Sequence, residues 1–215
     1  MSVLKNIKEV APFLADHFID LEKPLLDIES YSTFLNHREA HLGVFKKYLI
    51  CKLHDSWILG TERTHSTFKL KLNDFTTHVF ADALIKRKNL QIEHDQLVFP
   101  LELTFHGIQQ IECFEVDENG TLTSVEYTDA GVYLHEQVTQ INQNQIDIVL
   151  NLWKYGSTKK ERNKNVIVKI SADKLLLSEQ QDKAWNHLFS AKYDNYYDYF
   201  KAQFDTGRYI SDYTQ

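Results

Sequence analysis

From Gln145 to Tyr155 the side chains alternate. Ile146, Ile148, Leu150 and Leu152 fall on one side of an extended chain, and Asp147, Val149, Asn151 and Trp153 on the other. A period of two belongs to a strand, whose successive Cβ atoms point to opposite faces. Such a segment must bury its apolar row, so the chain is committed to a sheet. Val166, Val168 and Ile170 repeat the alternation beyond a polar, basic loop at 156–165, and Gly131–Ile141 precedes it across the polar turn Asn142-Gln143-Asn144. Ile108–Val116 and Thr121–Tyr127 flank Asp117-Glu118-Asn119-Gly120, where Asn-Gly tolerates the positive φ of a hairpin. Leu97–Phe105 carries Pro100, which lacks an amide donor and suits an edge or a bulge. These signals predict an antiparallel meander of about five or more strands within 97–177.

Elsewhere the spacing turns helical. Leu4, Ile7, Ala11, Leu14, Phe18 and Leu21 recur every three or four residues, with Pro12 interrupting the run by starting a second helical piece near Ala11. Ser30 reads as an N-cap for a helix to Leu49, with Gly43 a weak point inside it. Trp57–Arg63 and Thr67–Leu72 read as two strands, followed by a helix from Asn73 or Asp74 through Leu84 into Lys86-Arg87-Lys88. Ser178 and Gln181 have capping-box spacing before an aromatic-rich helix that Gly207 stops. The expected fold class is α+β: an antiparallel meander sheet with helices from the N- and C-terminal segments packed on it. One domain spans 1–215, with N-terminal helices in 4–50, a mixed segment 54–96, the meander 97–177 and a C-terminal helix 178–206. A chain of 215 residues is ample for one such core.

Several function classes fall away. Two cysteines, Cys51 and Cys113, build neither a disulfide framework nor a zinc knuckle. Lys5, Lys8, Glu9, Asp16 and Asp20 interrupt what a signal peptide would need, and no apolar run approaches the ~18–20 residues of a membrane helix. A cytoplasmic protein is expected. Seven scattered glycines provide no phosphate-binding loop, and no cofactor is implied. The net charge of −6 argues against a dedicated nucleic-acid binder.

That average conceals an asymmetry. Residues 107–153 contain no Lys or Arg, while 154–177 hold six Lys and one Arg. The acidic stretch holds Glu112, Glu115, Asp117, Glu118, Glu126, Asp129, Glu136 and Asp147. Carboxylates gathered on one sheet surface would speed encounter with a basic protein partner, whereas dispersed ones would merely solvate the sheet.

Catalytic patterns are sparse. His37 and His41 stand four apart on the expected helix, a spacing that lets two rings reach one metal ion, with His17, His54 or Asp55 as a third ligand. The string His37-Arg38-Glu39-Ala40-His41 matches neither zincin order, so a metal-dependent hydrolase is an alternative rather than the main reading. His54-Asp55-Ser56 holds the residue types of a hydrolase triad, but adjacent residues cannot line up as a relay. The run Tyr193–Phe200 has more aromatics than one helix face buries, which offers a homodimer contact as a further alternative.

Leu53-His54-Asp55-Ser56 opening a strand, with Tyr133-Leu134-His135-Glu136 before a polar-turn hairpin, resembles small bacterial α+β proteins, some similar to immunity proteins that neutralise polymorphic toxins. The resemblance covers about 53–72 and 131–171 and implies a protein-binding role without chemistry. The expected function is a non-enzymatic, immunity-like module that binds a protein partner through an acidic sheet surface.

Overall fold

The computed structural model describes residues 5–19, 28–49, 53–75, 78–79, 99–127, 131–156 and 164–179. Its elements are β1 (Lys5–Asn6), α1 (Ile7–Val10), α2 (Ala15–Ile19), α3 (Ile28–Asn36), α4 (Glu39–Leu42), a 3₁₀ turn (Gly43–Tyr48), β2 (Ser56–Arg63), β3 (Thr67–Asn73), β4 (Pro100–Val116), β5 (Thr121–Ser124), β6 (Val132–Asn142), β7 (Gln145–Lys154) and β8 (Lys164–Glu179). The architecture is mostly antiparallel sheet, and the described helices are short. No described helix is long and apolar enough to cross a membrane.

The strands follow the order β1-β5-β4-β3-β2-β6-β7-β8, and β8 returns to pair with β4. Six strands therefore form a closed circuit, β2-β3-β4-β8-β7-β6. Closure removes most of the unpaired edge that an open sheet would expose. The seam between β2 and β6 is short, with Ser56 opposite Tyr133 and Trp57 opposite Val132. The opposite seam is long, running from Leu101 opposite Glu179 to Glu115 opposite Val166. The expected meander is thus two meanders, β2-β3-β4-β5 and β6-β7-β8, joined edge to edge.

Alternation decides what lies inside. Phe68, Leu70 and Leu72 face Phe105, Leu103 and Leu101 across β3–β4. Ile148, Leu150 and Leu152 face Ile170, Val168 and Val166 across β7–β8. These rows form one core. The opposite face of β2–β4 is a solvated charge ladder. Lys71 lies 2.6 Å from Glu62, and Lys69 lies 3.4 Å from Glu102. The opposite face of β6–β8 is buried as well, because the N-terminal segment covers it. Gln137 Oε1 accepts from the amides of Phe13 and Leu14, and the Asn151 and Asn165 amides both donate to the Phe18 carbonyl. Those bonds satisfy carbonyl and amide groups at helix ends, where intrahelical partners run out.

The N-terminal segment is two helical pieces broken around Pro12, as expected, with the second starting at Ala15 rather than near Ala11. Three other expected elements take other forms. The expected Ser30–Leu49 helix is α3, α4 and a 3₁₀ turn. Gly43, with φ 54°, ends α4 in a conformation that L side chains avoid. Leu97–Phe105 and Ile108–Val116 are a single 17-residue strand, with Pro100 at its first position, where a missing donor does least harm. Strand β8 also runs on to Glu179, so Ser178 lies opposite Glu102 in the sheet rather than capping a helix. The expected C-terminal helix beyond it and most of the expected 73–84 helix lie outside the described residues.

Candidate binding groove

The last pair joining β7 to β8 is Ile146 opposite Ala172, because β7 begins at the hairpin turn where Asn144 N–H donates to Asn142 Oδ1. Strand β8 continues for seven more residues, held on its other edge by β4 up to Leu101 opposite Glu179. From Asp173 to Glu179 the free edge meets no strand among the described residues. A cavity of about 510 Å³ lies along this edge. Its other walls are α4 with the 3₁₀ turn, which supply His41, Leu42 and Phe45, and the β6–β7 hairpin tip, which supplies Asn142. One side of the groove is thus an unpaired strand backbone, and the remaining walls mix apolar side chains with neutral amides.

The bend that aims this edge is local to β4. Gly107 has φ 63°, and a Cβ there would stand 2.0 Å from Asp173 Oδ2. The Asp173 carboxylate folds over Gly107 and accepts from Gln109 Nε2 at 2.9 Å. The pairing slips between Ile108 and Gln110 at the same place. A bulge of this kind bends a strand and re-aims the residues beyond it.

The two candidate metal ligands are separated by the broken helix. His37 follows the end of α3 and His41 lies in α4, and the intervening turn bonds Arg38 N–H to the Leu35 carbonyl. The uninterrupted i, i+4 geometry is lost. No group of three His, Cys, Asp or Glu among the described residues is arranged to hold a metal ion. His41 instead lines the groove.

The acidic residues do not share one face. Glu136 is 1% exposed and points into the core, where the Tyr133 hydroxyl donates to it at 3.1 Å. Glu115 lies 2.7 Å from Lys164 and Glu112 lies 3.8 Å from Lys169. Asp117 accepts from the amides of Asn119 and Thr121, and these bonds hold its carboxyl below the ordinary range, the Thr121 amide most strongly. Asp147 accepts from Gln145, Glu118 is exposed in the β4–β5 turn and Glu126 is exposed beyond β5. Asp129 and the Tyr193–Phe200 run lie outside the described residues. The strand pairing offsets part of the charge asymmetry, since β8 brings Lys164 and Lys169 to Glu115 and Glu112.

Of the triad residue types, His54 and Asp55 stay together, with His54 Nε2 3.5 Å from Asp55 Oδ2, and Ser56 is engaged elsewhere. Ser56 is buried and its Oγ accepts from the Phe75 amide, while His54 Nδ1 lies 2.9 Å from the Leu134 carbonyl. A carbonyl only accepts, so that ring nitrogen carries the proton. His54 stacks on buried His135 at 4.5 Å, and His135 stacks on Phe18. The bond occupies a β6 backbone group, as does the Tyr31 hydroxyl that accepts from Val138 N–H. Burial pushes the Cys113 thiol up to about 11, against a small opposing effect from Arg63. That thiol is not poised as a nucleophile. Cys51 lies outside the described residues.

Comparison with protein-family models, curated proteins and solved structures finds no match. The groove was not legible in the sequence, because it depends on where β7 stops relative to β8. The one local signal was alternation persisting from Val166 to Ile170 and running directly into Leu175-Leu176-Leu177.

Proposed function

We propose that the chain is a non-enzymatic binding module that takes an extended segment of a partner protein as an added strand on β8. The observation that carries this reading is the edge from Asp173 to Glu179, unpaired among the described residues, of which Asp173 to Leu177 line a walled groove. In strand addition the main chain supplies affinity and alternate side chains supply specificity. The groove meets both needs: backbone groups line one side, and Leu175 and Leu177 alternate with Lys174 and Leu176 along it.

In this reading the chain is one cytoplasmic α+β unit whose helical segments serve as groove walls. An immunity-like role, capture of a segment of a toxin, is the form of binding that the short sequence resemblance favours.

The test uses an alternating Val-Thr octapeptide and its twin N-methylated at every second residue, with amide shifts of the full chain followed by NMR. Shifts confined to 173–179 and the groove walls, lost with the methylated twin, are the expected result. Equal binding of both peptides, or shifts elsewhere, overturns the proposal.

A further inference from the structure

We infer that the segment captured on β8 is acidic, an inference that rests on the strand-addition reading above. Its basis is the charge left at the groove. Lys8, Lys69, Lys71, Lys164 and Lys169 each face a carboxylate within 4 Å. Lys174, which lines the groove, faces none among the described residues. Its cross-strand neighbour is His106. The carboxylate of Glu102 lies two pairs further along the same face, and Lys69 holds it at 3.4 Å.

Among the described residues, the one carboxylate lining the groove is already engaged. Asp173 Oδ1 accepts from Gln109, and Oδ2 lies over Gly107. The remaining polar lining is His41 with the neutral amides of Asn142, Gln143 and Gln145. A chain of net charge −6 thus presents at this strand edge an ammonium that faces no carboxylate among the described residues. Complementary charge sets register and selects partners more than it adds raw affinity.

Register also says which residues of the occupant carry the charge. Lys174 and Leu176 share one face of β8, and Leu175 and Leu177 share the other with Phe105 and Leu103. An added strand therefore places apolar side chains beside Leu175 and Leu177 and an Asp or Glu, on the alternate set, beside Lys174. This is the opposite charge sign from the basic partner expected from composition, because the charge beside the β8 edge is that of Lys174 and not of the acidic stretch.

The experiment compares alternating Val-Glu, Val-Thr and Val-Lys octapeptides on the wild-type chain and on Lys174→Glu and Lys174→Met variants. Exposed ion pairs are weak, so the Val-Glu peptide should bind wild type about threefold more tightly than Val-Thr. Lys174→Met should erase that preference, and Lys174→Glu should reverse the order of Val-Glu and Val-Lys. If Val-Glu and Val-Thr bind alike to wild type, or the variants leave the order unchanged, the charge inference fails while strand addition stands. If none of the three peptides binds, strand addition itself fails.

Discussion

Replacing Gly107 by alanine should destabilise the chain through two separable effects. The backbone there has φ 63°, in the left-handed region, which costs an L residue about 1–2 kcal/mol. The new Cβ would also stand 2.0 Å from Asp173 Oδ2, 2.5 Å from Cγ and 2.9 Å from Cβ. The carboxylate can rotate away, giving up its bond to Gln109, but the Asp173 Cβ is fixed by the backbone and cannot. Overpacking of this kind costs about 1–3 kcal/mol. Together the two give about 2–5 kcal/mol for Gly107→Ala. Asp173→Gly removes every atom in the clash and leaves the φ cost untouched. Gly107→Ala in that background should therefore cost only about 1–2 kcal/mol, and the cycle should show a coupling of about 1–3 kcal/mol. Urea unfolding followed by tryptophan fluorescence measures all four corners, with an unchanged m-value as the check on two-state behaviour. Additivity of the two substitutions within about 0.5 kcal/mol would refute the claim that Asp173 is packed over Gly107.

Other consequences arise from the same geometry. Tyr31→Phe leaves the Val138 amide without its acceptor in a buried position, so thermal or urea unfolding should show a loss of about 1–3 kcal/mol. Asn151→Ala removes one of two donors to the Phe18 carbonyl and should cost about 1 kcal/mol, with faster proteolysis before Phe18; an Asn151/Asn165 double variant should lose more than either single one. Cys113, buried with its thiol pushed up to about 11, should resist iodoacetamide at pH 8 until urea unfolds the chain, as peptide mapping will show. Asp117 has a folded pKa below its unfolded one. It therefore contributes stability that is present above the unfolded value and lost as pH falls through the folded value. Asp117→Asn keeps the oxygen that accepts from Thr121 but cannot titrate, so its stability should fall less steeply than wild type on acidification below about pH 4.

Local sequence settled β7 and the tight turns of the sheet. The 145–154 alternation, the Asn-Gly turn and the Asn142-Gln143-Asn144 turn each depend on residues a few positions apart, and each appears where local spacing put it. The break at Pro12 was equally local. Polar His135, Glu136 and Gln137 in the middle of a strand gave no sign that both faces of β6 would be covered, since two-sided burial ordinarily reads as a continuous apolar run.

Long-range contacts settled the rest. The helix expected over 30–49 gives way to short pieces that pack between β6 and β8, and that break parts His37 from His41. Strand β8 outruns the expected helix start because seven residues find partners on β4, far away in sequence. The pairing of β4 with β8 closes the circuit, sets lysines against the acidic stretch and leaves Lys174 over at the open edge. Local periodicity specifies which side of a strand is apolar. Strand partners, and therefore the charge that survives pairing, depend on contacts between residues tens of positions apart, and no periodicity in a single segment records them.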